Sequence, residues 1–124
     1  MKPDYDKTLP CLTIDIKRAR IRIYRTTLHL LGEPRYFRML VNPETKSIIM
    51  EKCEETSTGA HCFKEPSSRK HSFELFSPSL VHQITVCAGF GGYASVRLQG
   101  RRIRGQNAVF FRMESEHAHL SSIP

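Results

Sequence analysis

Apolar residues recur at every second position from Leu12 through Ile14 to Ile16 and again at Ile21 and Ile23, with Thr13, Asp15, Lys17, Arg20 and Arg22 between or beside them. A period of two is that of a strand with one face buried, so LTIDIK and RIRIY read as two strands. Lys17 to Arg20 is short enough to join them as a hairpin, although no Gly or Asn supplies the positive φ that the tightest hairpin turns favour. The period then changes. In TTLHLLGE, Thr26 or Thr27 can cap a short helix, Leu28 and Leu31 share a face, Gly32 suits a left-handed stop, and Pro34 ends the helix. RYFRMLV returns to alternation with Phe37, Met39 and Val41 on one side, NPET is a turn, and KSIIMEKC is the returning strand.

Residues 54–70, EETSTGAHCFKEPSSRK, have little periodicity and read as a connector. Beyond them HSFELF alternates again. Ser77 followed by Pro78 is an N-cap with proline at the first helical position, where its missing N–H costs nothing. Leu80, Ile84, Cys87 and Ala88 recur at helical spacing, and Gly89 starts the exit. YASVRL and AVFFRM are strands flanking QGRRIRGQN, a turn bounded by Gly100 and Gly105.

The grammar strand, helix, strand, strand thus occurs twice, over 12–53 and 71–113, with one extra leading strand and a tail at 114–124. The expected fold is mainly β with two short helices (α+β), one domain over 1–124 in which neither half buries enough surface alone. Two such halves could close each other's strand edges in one barrel.

Charge adds a functional direction. The chain of 124 residues carries a formal charge of +7. It is concentrated in two blocks, net +5 over 1–53 and net +4 over 71–113, while 54–70 is balanced and the tail is −2. Such a surface attracts polyanions through a long-range field. No run approaches the length of a membrane span, and MKPDYDKTLP lacks the basic and apolar segments of a signal peptide, so the expected address is cytoplasmic with no membrane partner. The cysteines, Cys11, Cys53, Cys62 and Cys87, form no CxxC pair and are expected as thiols.

The stretch TIDIKRARIRIYRTTLHLLGE resembles the swapped-hairpin domain of AbrB-type transition-state regulators, in which a strand, a Gly-Arg turn, a second strand and a short helix ending in Leu-Gly follow one another. Arg20 matches the turn arginine, Ile21 and Ile23 the second strand, and Leu31-Gly32 the helix end. Ala19 stands where the family usually has glycine and Tyr24 where it usually has proline. The doubled layout is similar to the tandem repeats of MraZ proteins, although their Asp-x-x-x-Arg spacing is one residue shorter than Asp15 to Arg20. The resemblance implies a pseudo-symmetric swapped-hairpin barrel built from two halves in one chain, and a DNA-binding transcriptional regulator.

The residues expected to contact nucleic acid are Lys17, Arg18, Arg20, Arg22 and Arg25 in the first half and Arg97, Arg101, Arg102 and Arg104 in the second. Arginine offers a planar fork for phosphate or the acceptor edge of guanine, and a strand pair can enter the major groove. The expected partner is double-stranded DNA, with a homodimer left open. The alternative is a protein-interaction module or adaptor whose basic face docks an acidic partner. No catalytic set is recognisable. The histidines join no nucleophile motif, AGFGG lacks the Gly-Lys-Ser/Thr of a phosphate loop, and neither a cofactor nor a metal is expected.

Overall fold

The computed structural model describes residues 9–63 and 72–113, and the backbone of 118–122. β1 (Cys11–Asp15) and β2 (Arg20–Tyr24) form the first hairpin, followed by α1 (Arg25–Leu30), β3 (Tyr36–Asn42), β4 (Ser47–Lys52) and a two-residue β5 (His61–Cys62). Then come β6 (Ser72–Phe76), α2 (Pro78–Ala88), β7 (Tyr93–Arg102), β8 (Ala108–Arg112) and β9 (Ala118–Ser122). Eight strands lie in the order β5-β3-β4-β8-β7-β1-β2-β6, all neighbours antiparallel, in an open sheet curled into a half-barrel. β9, from the expected tail, continues along the β7 edge that β8 has left.

The alternation read from the sequence decides which way each strand faces. Leu12, Ile14, Ile21, Ile23, Phe37, Ile48, Met50, Val96, Leu98, Val109 and Phe111 point inward and are buried, with Leu31 after α1 and Val81 and Ile84 of α2 closing the open side. Burial at roughly 25 cal/mol per Å² of apolar surface makes this concave face the main source of stability. The two ends of the sheet are brought together by rings, not by a ladder. Phe63, just after β5, stacks on Phe37 at 4.1 Å and meets Phe73 of β6 edge-on at 4.9 Å. His61 lies against the same ring, and burial pushes its imidazole below the usual histidine range. The described part of the connector therefore supplies a strand and a ring to the core; the rest of it, 64–70, lies outside the described residues.

Three local expectations are corrected. Neither Thr26 nor Thr27 caps α1, which begins at Arg25 after Tyr24 with no side-chain cap. Thr27 is buried instead: its Oγ1 accepts from the Cys11 N–H at 2.8 Å and donates to the Cys11 carbonyl at 2.9 Å. The hydroxyl thus serves a strand end that lies past the last β1–β2 register pair, Leu12 with Ile23. The second correction is β7, which runs on through Gln99–Arg102, so the expected turn shrinks to Ile103–Asn107. Gly100 is a crossing point there and not a turn residue. A Cβ on it would collide with the Phe110 carbonyl oxygen and lie 2.7 Å from the Phe111 ring. Third, β2 is the RIRIY read from the sequence, but β1 stops at Asp15, so the hairpin turn is Ile16 to Ala19 and not Lys17 to Arg20, and Ala19 itself takes the left-handed conformation with φ 58°. Ser77 and Gly89 behave as read: the Ser77 Oγ accepts from the Leu80 N–H, and Gly89 ends α2 with φ 76°.

Candidate nucleic-acid interface

Residues that alternate with the core positions form the outer face of β7, β1, β2 and β6. Directly opposed residues in a sheet share a face, and the register aligns Arg97, Thr13, Arg22 and Glu74 in one row across the four strands. The adjoining row is Ser95, Asp15, Arg20 and Phe76. The β1–β2 turn places Lys17 and Arg18 beside the second row, where β1 ends and β2 begins. Asp15 builds that turn: its Oδ1 accepts from the Arg18 N–H at 3.0 Å, and Oδ2 lies 3.4 Å from the Arg18 Nη1. The Ala19 carbonyl accepts from the Ser77 N–H at 3.0 Å, which ties the turn to the start of α2.

Thr13, Asp15, Lys17, Arg18, Arg20, Arg22, Glu74, Ala94 and Ser95 line a cleft of about 300 Å³ on this face. The arginines in it are engaged. Glu74 Oε1 accepts from Arg20 Nη1 at 3.0 Å, and Oε2 accepts from Arg22 Nη2 at 2.7 Å and Nε at 3.1 Å. The bond from Arg22 is the largest influence holding the Glu74 carboxyl below the usual carboxylate range, against a smaller opposing effect of burial. The same bond raises the Arg22 pKa, so both groups stay charged near neutrality. Lys17 makes no ion pair among the described residues. In these two rows and the adjoining turn, among the described residues, five cations, Lys17, Arg18, Arg20, Arg22 and Arg97, therefore meet two carboxylates, Asp15 and Glu74.

The remaining expected contacts lie elsewhere. Arg25 opens α1, where its Nε donates to His29 Nε2 at 3.3 Å while His29 Nδ1 lies 2.7 Å from Glu33 Oε2. Arg101 and Arg102 are neighbours in one strand and point to opposite faces. Arg101, opposite Phe110, shares the outer face with Arg97; Arg102, opposite the buried Val109, is turned the other way and donates to the Gln106 carbonyl at 3.1 Å. Arg104 sits in the β7–β8 turn. The second cluster is thus divided between two faces and a turn. The residue that sequence reasoning missed is Glu74, and the signal was present, since it is the one acidic residue between 71 and 113 and alternates with the apolar Phe73 and Leu75.

Among the described residues no group of three or more His, Cys, Asp or Glu is placed to hold a metal, and no helix is long and apolar enough to cross a membrane. Comparison with protein-family models, curated proteins and solved structures found no match to the chain.

Proposed function

We propose that this protein is a DNA-binding regulator of the AbrB/MraZ-like kind, gripping the duplex with the outer face of β1, β2 and β7 and the turn between β1 and β2, and acting by binding rather than catalysis. The observation that carries the reading is the gathering of Lys17, Arg18, Arg20, Arg22 and Arg97 on one side of one sheet. A major groove about 12 Å wide admits a two-stranded ribbon, and guanidinium forks match phosphate oxygens. Two further features support the family resemblance. Ala19 adopts the left-handed turn conformation at the position where the family carries glycine. Across the two halves β2 pairs with β6 and β4 with β8, the equivalent strands that a swapped-hairpin two-fold relation would set side by side.

The test is fluorescence anisotropy of a labelled duplex over a range of salt. Log affinity falls linearly with log salt, by about 0.9 per phosphate contacted. Replacing Arg20 and Arg22 by alanine lowers that slope, whereas replacing Lys46 and Lys52, at the two ends of β4, by glutamine changes it less. A folded protein that ignores duplex DNA at low salt overturns the reading. The second reading, docking of an acidic protein, is favoured by one observation: Arg20 and Arg22 already hold a carboxylate in good geometry.

A further inference from the structure

Glu74 is the one carboxylate of β6, and it stands opposite Arg22 on the face assigned above to DNA. Both of its oxygens are used, Oε1 by Arg20 and Oε2 twice by Arg22. A carboxylate presents the same two-oxygen edge to a guanidinium as the non-bridging oxygens of a phosphodiester do. Glu74 therefore stands where a phosphate would stand, and the cleft beside it, bordered by Thr13, Lys17, Arg18 and Ser95, leaves room for one to enter.

We infer that Glu74 is an internal competitor for backbone phosphate, so that Arg20 and Arg22 are released only to a ligand presenting several phosphates at once. This rests on the DNA-binding reading. The physical reason is one of relative strength. The side chains of Arg20, Arg22 and Glu74 are 41%, 49% and 37% exposed, and ion pairs so open to water and salt are held weakly. A duplex that also contacts Lys17, Arg18 and Arg97 gains enough elsewhere to open the pair. A single phosphate gains only what Glu74 already provides, and does not.

The experiment compares the full chain with Glu74→Gln, which keeps the shape and removes the charge, and with Glu51→Gln, which removes an equal charge from the Arg38 pair on β3 and β4. A labelled duplex is titrated at low and moderate salt, and inorganic phosphate is used as the competing probe. Glu74→Gln is expected to tighten duplex binding roughly three- to tenfold at low salt and to steepen the salt dependence by up to about 0.9 for each phosphate gained. Inorganic phosphate should compete with the duplex at lower concentration in that variant than in the wild type. Glu74→Asp, too short to span both arginines, should fall between the two and carries the comparison if Glu74→Gln melts early. Unchanged duplex affinity in a folded variant, or an equal gain in Glu51→Gln, overturns the competitor role and leaves the DNA reading standing. A duplex bound by neither wild type nor Glu74→Gln overturns both.

Discussion

In the β1–β2 hairpin Arg20 and Arg22 are two residues apart; in the β7–β8 hairpin Arg101 and Arg102 are adjacent. As text, RARIR and RRIR are nearly the same basic run. In a pleated strand the first spacing puts both guanidinium groups on one face and the second puts them on two. The first pair consequently lines one cleft with Lys17 and Arg18, whereas the second is split between the outer face and the Gln106 carbonyl. The hairpins differ in their turns as well. The second spends a glycine, Gly105 at φ 75°, on its left-handed position, and the first uses Ala19 at φ 58°. Equal charge in sequence is not equal charge in direction, and a single residue of spacing decides between them.

The comparison breaks most visibly at Gly100, where β7 passes from β1 to β8. Its N–H donates to the Pro10 carbonyl on one side while Phe111 lies opposite on the other. Gly100→Ala should cost about 3 kcal/mol, because the new methyl meets backbone and an aromatic ring that have no room to retreat. Urea unfolding would read this as a lower midpoint at unchanged slope. A loss below half that size would mean that β8 can move away.

A smaller effect tests the two arginine pairs directly. Alanine at both Arg20 and Arg22 should lower the salt slope of duplex binding by about 1.8, corresponding to two phosphate contacts, and alanine at both Arg101 and Arg102 by no more than about 0.9. Equal losses would restore the two clusters to equivalence and refute the division by faces.

The smallest effect concerns the turns. Left-handed backbone costs a residue with a Cβ roughly 1–2 kcal/mol, and glycine recovers that minus the entropy it adds to the unfolded chain. Ala19→Gly should therefore stabilise the protein by about 0.5–1 kcal/mol, measured by thermal melting. A destabilised variant would show that Ala19 is held by contacts and not merely tolerated.

Much of this architecture is legible in the order of residues. The two-residue period named the inward side of β1, β2, β3 and β6, and Ser77-Pro78 and Gly89 marked both ends of α2, because local sterics and local hydrogen bonds decide such features. The strand β5 was not legible, since two residues carry no period and it exists only because the edge of β3 accepts it. Thr27 looked like a helix cap for an equally physical reason. A threonine near a helix start has a local use and a distant one, and the N–H and carbonyl of Cys11 took it for the distant one.

By itself, then, the order of residues determined which side chains face inward, where the chain turns and how much positive charge it carries, all of them consequences of spacing along one strand or one helical turn. Tertiary structure decided what those charges meet. Glu74 lies 54 positions from Arg20 and 52 from Arg22. Only the pairing of β6 with β2 brings the three together. Strand pairing across such separations is set by the closing of the whole core, in which the sheet curls around Phe37, Phe63 and Phe73, and no window of sequence contains that event.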